Sequence, residues 1–173
     1  FSVSDGTTTV NQSINVAVSA VNDAPIVSAV NMSMSEDGSL SFTNAQLLAS
    51  AGASDIEGSA LSITSITSPV GSLSFNSANS TWTLNNLPAN FNGAIPLSFT
   101  VSDGVATTAQ TLNVTVNAVN DAPVVTPVSM SMYENSAVLI TQADLLAHAT
   151  DVDSNNLSIT DVSTTQGILT DNG

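Results

Sequence analysis

Along most of the chain, apolar and polar residues alternate one by one. Leu112, Val114, Val116 and Ala118 are interleaved with Asn113, Thr115 and Asn117, and Ile14, Val16 and Val18 keep the same rhythm near the N-terminus. Successive side chains of a strand point to opposite faces, so a period of two predicts strands with one buried face. Shorter apolar runs lie at 26–34, 40–42, 61–66, 73–75, 82–84 and 95–101, separated by Gly, Asn, Pro and Ser. The alternation breaks at 43–51, where Ala45, Leu47, Leu48 and Ala49 cluster. Thr43 stands three residues before Gln46, the spacing of a capping box, so one short helix is expected there. About seven strands with short connections predict an all-β fold, a Greek-key β-sandwich rather than a barrel.

The pattern recurs. Phe1–Gly6 (FSVSDG) returns as Phe99–Gly104 (FTVSDG) and Val21–Pro25 (VNDAP) as Val119–Pro123, each 98 positions on. Glu36 returns as Glu134 at the same offset, and after a two-residue shortening Asp55-Ile56-Glu57 aligns with Asp151-Val152-Asp153 at an offset of 96. The expected organisation is therefore the last strands of one unit (1–23), a complete unit (24–121) and the first part of the next (122–173). Phe1 follows no Met and no apolar leader, so the chain reads as a window cut from something longer.

Composition narrows the function. There are 14 Asp and Glu, one His, no Lys, no Arg and no Cys, for a formal net charge of -14. Binding nucleic acid or an anionic membrane surface needs basic residues to neutralise phosphate, so neither partner is expected. Thiolate catalysis, disulfides and cysteine zinc sites are excluded together. No apolar run approaches the roughly 20 residues of a membrane helix, while 42% hydrophobic residues are too many for a disordered chain.

Ten of the acids fall in pairs that recur in register: Asp5 with Asp103, Asp23 with Asp121, Glu36 with Glu134, Asp55 with Asp151 and Glu57 with Asp153. Asp37, Asp144, Asp161 and Asp171 have no acidic counterpart. Strand parity places the recurring acids. A first strand of about 11 residues is roughly 36 Å long, which carries Glu36 to the far end of its unit. The following strand returns, so Asp55, Glu57 and the Ser102-Asp103-Gly104 turn come back to the near end beside Asn22 and Asp23. By the same logic a second junction gathers Glu36, Asn120, Asp121, Asp151 and Asp153. Each junction thus holds four carboxylates, with a fifth expected from the upstream unit's counterpart of Glu36 at the first and from the following unit's counterpart of Asp103 at the second. With no base nearby they repel unless a cation joins them. Five carboxylates carry -5, and two divalent ions would leave -1. Oxygen ligands without His or Cys point to calcium, or less well to magnesium, and Asn22 and Asn120 can add carbonyls.

The VNDAP junction, the acid-x-acid pair about thirty residues on, the Glu ending the first strand and the SDG turn together resemble the cadherin-like tandem repeats of giant bacterial surface adhesins of the RTX and biofilm-associated type. The resemblance covers the whole chain. It implies calcium between successive domains, with Glu36 matching the first-strand Glu and Asp121 the linker Asp. Asp55 with Glu57 and Asp151 with Asp153 match Asp-x-Asp, and Asp103 matches the late-loop Asp. The cadherin Asp-Arg-Glu motif is missing, since residues 86–93 carry no charge, and one or two ions per junction are expected rather than three.

Plainer readings stand beside these. Ser-Asp-Gly is also a hairpin turn, and Asn-Asp-Ala-Pro an Asx turn. His148 has no partner and is expected to be exposed, Trp82 belongs to the core, Tyr133 is a candidate exposed aromatic, and the sequons at Asn11, Asn31, Asn79, Asn113 and Asn156 are read as chance. The leading expectation is a non-enzymatic, extracellular, cell-surface extender whose partners are its neighbouring repeats, serving adhesion or biofilm formation. The alternative is a calcium-dependent carbohydrate-binding module taking surface or matrix polysaccharide. No nucleophile and base pair supports an enzyme.

Overall fold

The computed structural model describes residues 1–170; Asp171 lies outside them. A short hairpin, β1 (Ser2–Ser4) with β2 (Thr9–Asn11), comes first. The central region contributes β3 (Val30–Ser35), β4 (Leu40–Thr43), α1 (Asn44–Ser50), β5 (Ser62–Thr67), β6 (Ser72–Asn76), β7 (Thr81–Asn85), β8 (Gly93–Ser102) and β9 (Thr107–Asn117). After the linker at 118–123 come β10 (Val124–Val125), α2 (Gln142–Leu146) and β11 (Ala149–Thr150).

The central strands form two sheets, ordered β3-β9-β8-β5 and β4-β7-β6. Alternation explains which face each strand buries. Ile95, Leu97, Phe99 and Val101 of β8 and Leu112, Val114 and Val116 of β9 point inward, against Phe42 and Leu84 of the other sheet. Each fully buried side chain of this size contributes about 1.5–3 kcal/mol of hydrophobic stabilisation. The expected helix is present, and Leu47 and Ala51 plug the core from it. Its capping box is made: Gln46 N–H donates to Thr43 Oγ1 at 3.2 Å, and Thr43 N–H to Gln46 Oε1 at 2.8 Å.

Trp82 is half-buried, with Phe42 and Phe75 as its register partners on either side. Its ring lies 4.6 Å from that of Phe75, and its Nε1–H donates to Asn44 Oδ1 at 2.8 Å. It packs against the core at its rim, only half-buried where the sequence reading expected a core residue.

The first strand departs from expectation. The single run at 26–34 is split: Ile26 bridges Ser54 antiparallel, Ser28 N–H donates to Ala51 O at 2.9 Å, and only from Val30 does the chain pair with β9, in parallel. Val27 and Val30 are both buried, and three positions apart they cannot share a face of one regular strand. The backbone changes phase between them, leaving the bridge to Ser54 for the pairing with β9.

Two further expectations of burial fail. Ala118 is exposed because β9 ends at Asn117. Ile14, Val16 and Val18 are 70%, 79% and 88% exposed and form no strand. Their counterparts in β9 lie between β3 and β8, and residues 14–18 have no such flanking strands.

Local bonding outside the sandwich repeats its pattern. The Val3↔Val10 pair corresponds to Val101↔Thr108, both positions shifted by 98. Val124↔Thr150 corresponds to the Ile26↔Ser54 bridge at offsets of 98 and 96. Thr141 and Asp144 form the same capping box as Thr43 and Gln46.

Candidate metal centre

Because β3 runs parallel to β9, with Ser35 opposite Asn117, the chain emerging from β3 lies beside the chain leaving β9. Glu36 occupies that place. Its N–H donates to Asn117 O at 2.9 Å and its Oε1 accepts from Val119 N–H at 2.6 Å. The residue is only 5% exposed, and its Oε2 is buried without a hydrogen-bond partner. A buried, unpaired carboxylate oxygen is costly unless a cation reaches it.

The linker brings the next acids. Asn120 Nδ2 donates to Asp121 O at 2.7 Å, and Asp121 N–H donates to Asp153 Oδ2 at 2.7 Å. Asp151 shapes the loop that presents Asp153: its Oδ1 accepts from the N–H groups of Asp153 and Ser154, at 2.9 and 2.7 Å. Oxygens of Glu36, Asp121 and Asp153 lie within 4.8 Å of one another, the one such acidic group among the described residues. Burial, followed by the charges of Asp153, Asp37, Glu36 and Asp151, raises the Asp121 pKa above its ordinary value.

The earlier junction has the same wiring. Asp23 N–H donates to Glu57 Oε2 at 3.1 Å. Asp55 Oδ1 accepts from Glu57 N–H at 3.1 Å and Ser59 N–H at 2.9 Å, and its Oδ2 is buried and unpartnered. Asn22 Nδ2 donates to Asp103 Oδ2 at 2.8 Å and to Asp23 O at 2.9 Å. That contact, with the N–H groups of Val105 and Ala106 on Oδ1, lowers the Asp103 pKa.

Asn22, Asp23, Asp55, Glu57 and Asp103 are therefore linked at one end of the sandwich, and Glu36, Asn120, Asp121, Asp151 and Asp153 at the other. Asn22 and Asn120 use their amide nitrogens here as donors, which leaves their side-chain oxygens for another role. The plain reading of Ser-Asp-Gly also holds. Asp5, the counterpart of Asp103, closes its hairpin in the same way, accepting from Thr7 and Thr8 N–H at 2.8 and 2.7 Å, which lowers its pKa.

Asp37 and Asn90 were not singled out from sequence. Asn90 N–H donates to Asp37 Oδ1 at 3.2 Å. With its amide oriented to suit its neighbours, Asn90 Nδ2 donates to Asp121 Oδ2 at 3.1 Å and Asp37 Oδ2 at 3.3 Å. Asp37 aligns with Asn135, so the repeat carries no signal for it, and residues 86–93 hold no charge that would mark Asn90. His148 is exposed beside Thr126, and Tyr133 is 88% exposed.

The donor set suits a hard divalent cation: carboxylate and amide oxygens, no sulfur or imidazole, and a buried carboxylate oxygen left without a partner. No helix among the described residues is long and apolar enough to cross a membrane. Comparison with known proteins adds three findings. No curated protein matches the chain. Among solved structures, a nucleoside hydrolase-related hypothetical protein from Saccharophagus degradans associated with carbohydrate metabolism is 20% identical over 57% of this chain and 26% of that one, with a TM-score of 0.40. An endo-fucoidan hydrolase from glycoside hydrolase family 107 is 22% identical over 72% of this chain and 20% of that one, also at 0.40. The chain thus spans about a quarter or less of the solved chains it matches. The family model of the cadherin-like domain matches residues 21–117 and again 119–173, which together take in most of the sequence: the chain belongs to the cadherin-like domain family.

Proposed function

We propose that the chain is an extracellular adhesion-type segment, a structural extender of a large bacterial surface adhesin in which successive cadherin-like sandwiches are stiffened by calcium at their junctions. Cadherin-like domains generally bind calcium and are typically extracellular, and the family match supports this reading. In it, residues 24–121 are one complete unit, 1–23 the tail of the unit before and 122–173 the start of the unit after. The observation that carries the reading is the buried, unpartnered Oε2 of Glu36 in a group with Asp121 and Asp153. Glu36 comes from one unit, Asp121 from the linker and Asp153 from the next, so an ion held by all three fixes the angle between units.

Glu36, Asp121 and Asp153, supported by Asp151 and Asn120, would hold calcium at one junction; Asp23, Asp55, Glu57 and Asp103, with Asn22, would do so at the other. Neighbouring units are the proposed partners, cell adhesion or biofilm formation the proposed role, and no catalytic step is assigned. Calorimetric titration of the desalted chain should give calcium binding in the ~10⁻⁴ to 10⁻³ M range of extracellular modules. Replacing Asp121 and Asp151 with Asn should broaden the small-angle scattering distance distribution in calcium. Equal distributions with calcium, without it and in the double variant would refute a stiffening role.

The second reading, a calcium-dependent module for cell-surface or matrix polysaccharide, is favoured by one observation, the exposure of Tyr133. Saturable glycan binding in calcium that is lost in Tyr133→Ala would establish it.

A further inference from the structure

We propose that Asn90 is a positioning residue of this junction, a neutral amide that ties Asp121 to Asp37 and so keeps the linker carboxylate aimed at Glu36 and Asp153. The inference rests on the calcium reading above and adds to it a residue outside the set of expected ligands.

Like charges gathered in an ion-free junction separate unless something bridges them. In a chain without Lys or Arg, that bridge must be a neutral donor. The two N–H bonds of one amide are suited to it, since each can meet a different carboxylate. In the amide orientation that its hydrogen-bond partners select, Asn90 Nδ2 does so, reaching Asp121 Oδ2 at 3.1 Å and Asp37 Oδ2 at 3.3 Å. The other oxygen of Asp37 accepts from Asn90 N–H at 3.2 Å, so Asp37 grips both the main chain and the side chain of Asn90. Both residues are in the left-handed region, at φ 55 for Asp37 and 57 for Asn90, and their mutual bonds hold a backbone that non-glycine residues seldom adopt. The β3–β4 turn and the loop after β7 thereby hold the Asp121 side chain, while Asp153 Oδ2 receives the Asp121 N–H at 2.7 Å. Asp121 is held at both its main chain and its side chain before any ion arrives. A cation then meets oxygens already gathered, and less of its binding energy goes into ordering them.

The test uses the whole chain with Asn90→Gly, which keeps the left-handed backbone and removes the amide, and Asn90→Asp, which keeps the shape and cannot donate. Two quantities are read: calcium affinity and stoichiometry by calorimetry, and hydrogen exchange of the Asp121 main-chain amide in ion-free buffer. Asn90→Gly should weaken calcium about three- to tenfold with the number of ions unchanged, and both variants should speed Asp121 exchange by a similar factor. Wild-type affinity and exchange in both variants would overturn the proposal. So would the loss of an ion in Asn90→Gly, since that makes Asn90 a ligand itself. If the wild-type chain takes up no calcium, the functional reading above fails, while Asp121 exchange still decides the role of Asn90. Should Asn90→Gly unfold its loop, Asp37→Gly puts the same question from the opposite partner, with faster Asp121 exchange again the supporting result and an unchanged rate the opposing one.

Discussion

Asp121 donates its main-chain N–H to Asp153 Oδ2 at 2.7 Å, so one carboxylate both anchors the linker and contributes to the acidic group. Substitutions can separate the two roles. Asp153→Asn keeps an acceptor for Asp121 and loses the charge; Asp153→Ala loses both. Calcium affinity by calorimetry should fall about tenfold in either variant, equivalent to about 1.4 kcal/mol. Only Asp153→Ala should accelerate exchange of the Asp121 amide in ion-free buffer. Equal acceleration in both would mean that the charge, not the hydrogen bond, anchors the linker.

The pH dependence of the ion-free chain has two opposite parts. Burial and its acidic neighbours raise the Asp121 pKa, against the opposing pull of the Asn90 amide on Oδ2, so its ionised form is penalised in the folded state. That penalty is present above the folded pKa and is relieved as pH falls through it. Asp103 and Asp5 are lowered, so the stability they contribute is present above the unfolded pKa near 3.8 and is lost as pH falls through their folded values. Melting temperature in metal-free buffer should therefore rise on mild acidification and drop at lower pH. Asp121→Asn should remove the rise and leave the drop.

The two helices share a capping geometry with different chemistry. Thr43→Ala should destabilise the central sandwich by about 1 kcal/mol, as loss of an N-cap typically does, visible in chemical denaturation. In α2 the reciprocal partner is Asp144, whose pKa is lowered by its bonds to Thr141, so this cap should weaken in acid as Asp144 protonates. Asp144→Gln, which copies Gln46 of the first helix, should keep the cap and abolish its pH dependence, as followed by amide exchange across residues 142–146.

Gly71 and Gly104 should respond differently to alanine. Both have positive φ, 75 and 98, but a Cβ on Gly71 would stand 2.6 Å from Leu87 Cδ2 and 2.7 Å from the main-chain oxygen of Asn85, whereas Gly104 faces open space. Gly104→Ala carries backbone strain alone, about 1 kcal/mol. Gly71→Ala adds a clash with fixed backbone and should cost roughly 2–4 kcal/mol. Similar midpoints for the two variants in denaturant would show that the loop before β6 can shift.

Much of this architecture was legible because the period of two is a direct image of the pleat. Leu112, Val114 and Val116 are buried and Asn113, Thr115 and Asn117 exposed, as their alternation requires. The helix was legible from the Thr43 and Gln46 spacing, and the gathering of Glu36, Asp121 and Asp153 from strand parity, because each strand reverses direction by a predictable number of residues. The split first strand was not read, although the odd spacing of Val27 and Val30 encodes it. Asp37 and Asn90 were missed for a different reason. A neutral amide from a loop far away in sequence leaves no trace in charge patterning, and Asp37 has no acidic counterpart to mark it.

The parallel pairing of β3 with β9 has a mechanical side. The chain enters the sandwich at one end and leaves at the other, through the first and last of two adjacent strands. Tension along the chain would slide β3 and β9 past each other in opposite directions. The six paired positions from Val30↔Leu112 to Ser35↔Asn117 would then be loaded in shear, all at once, and would have to yield together instead of peeling apart one after another.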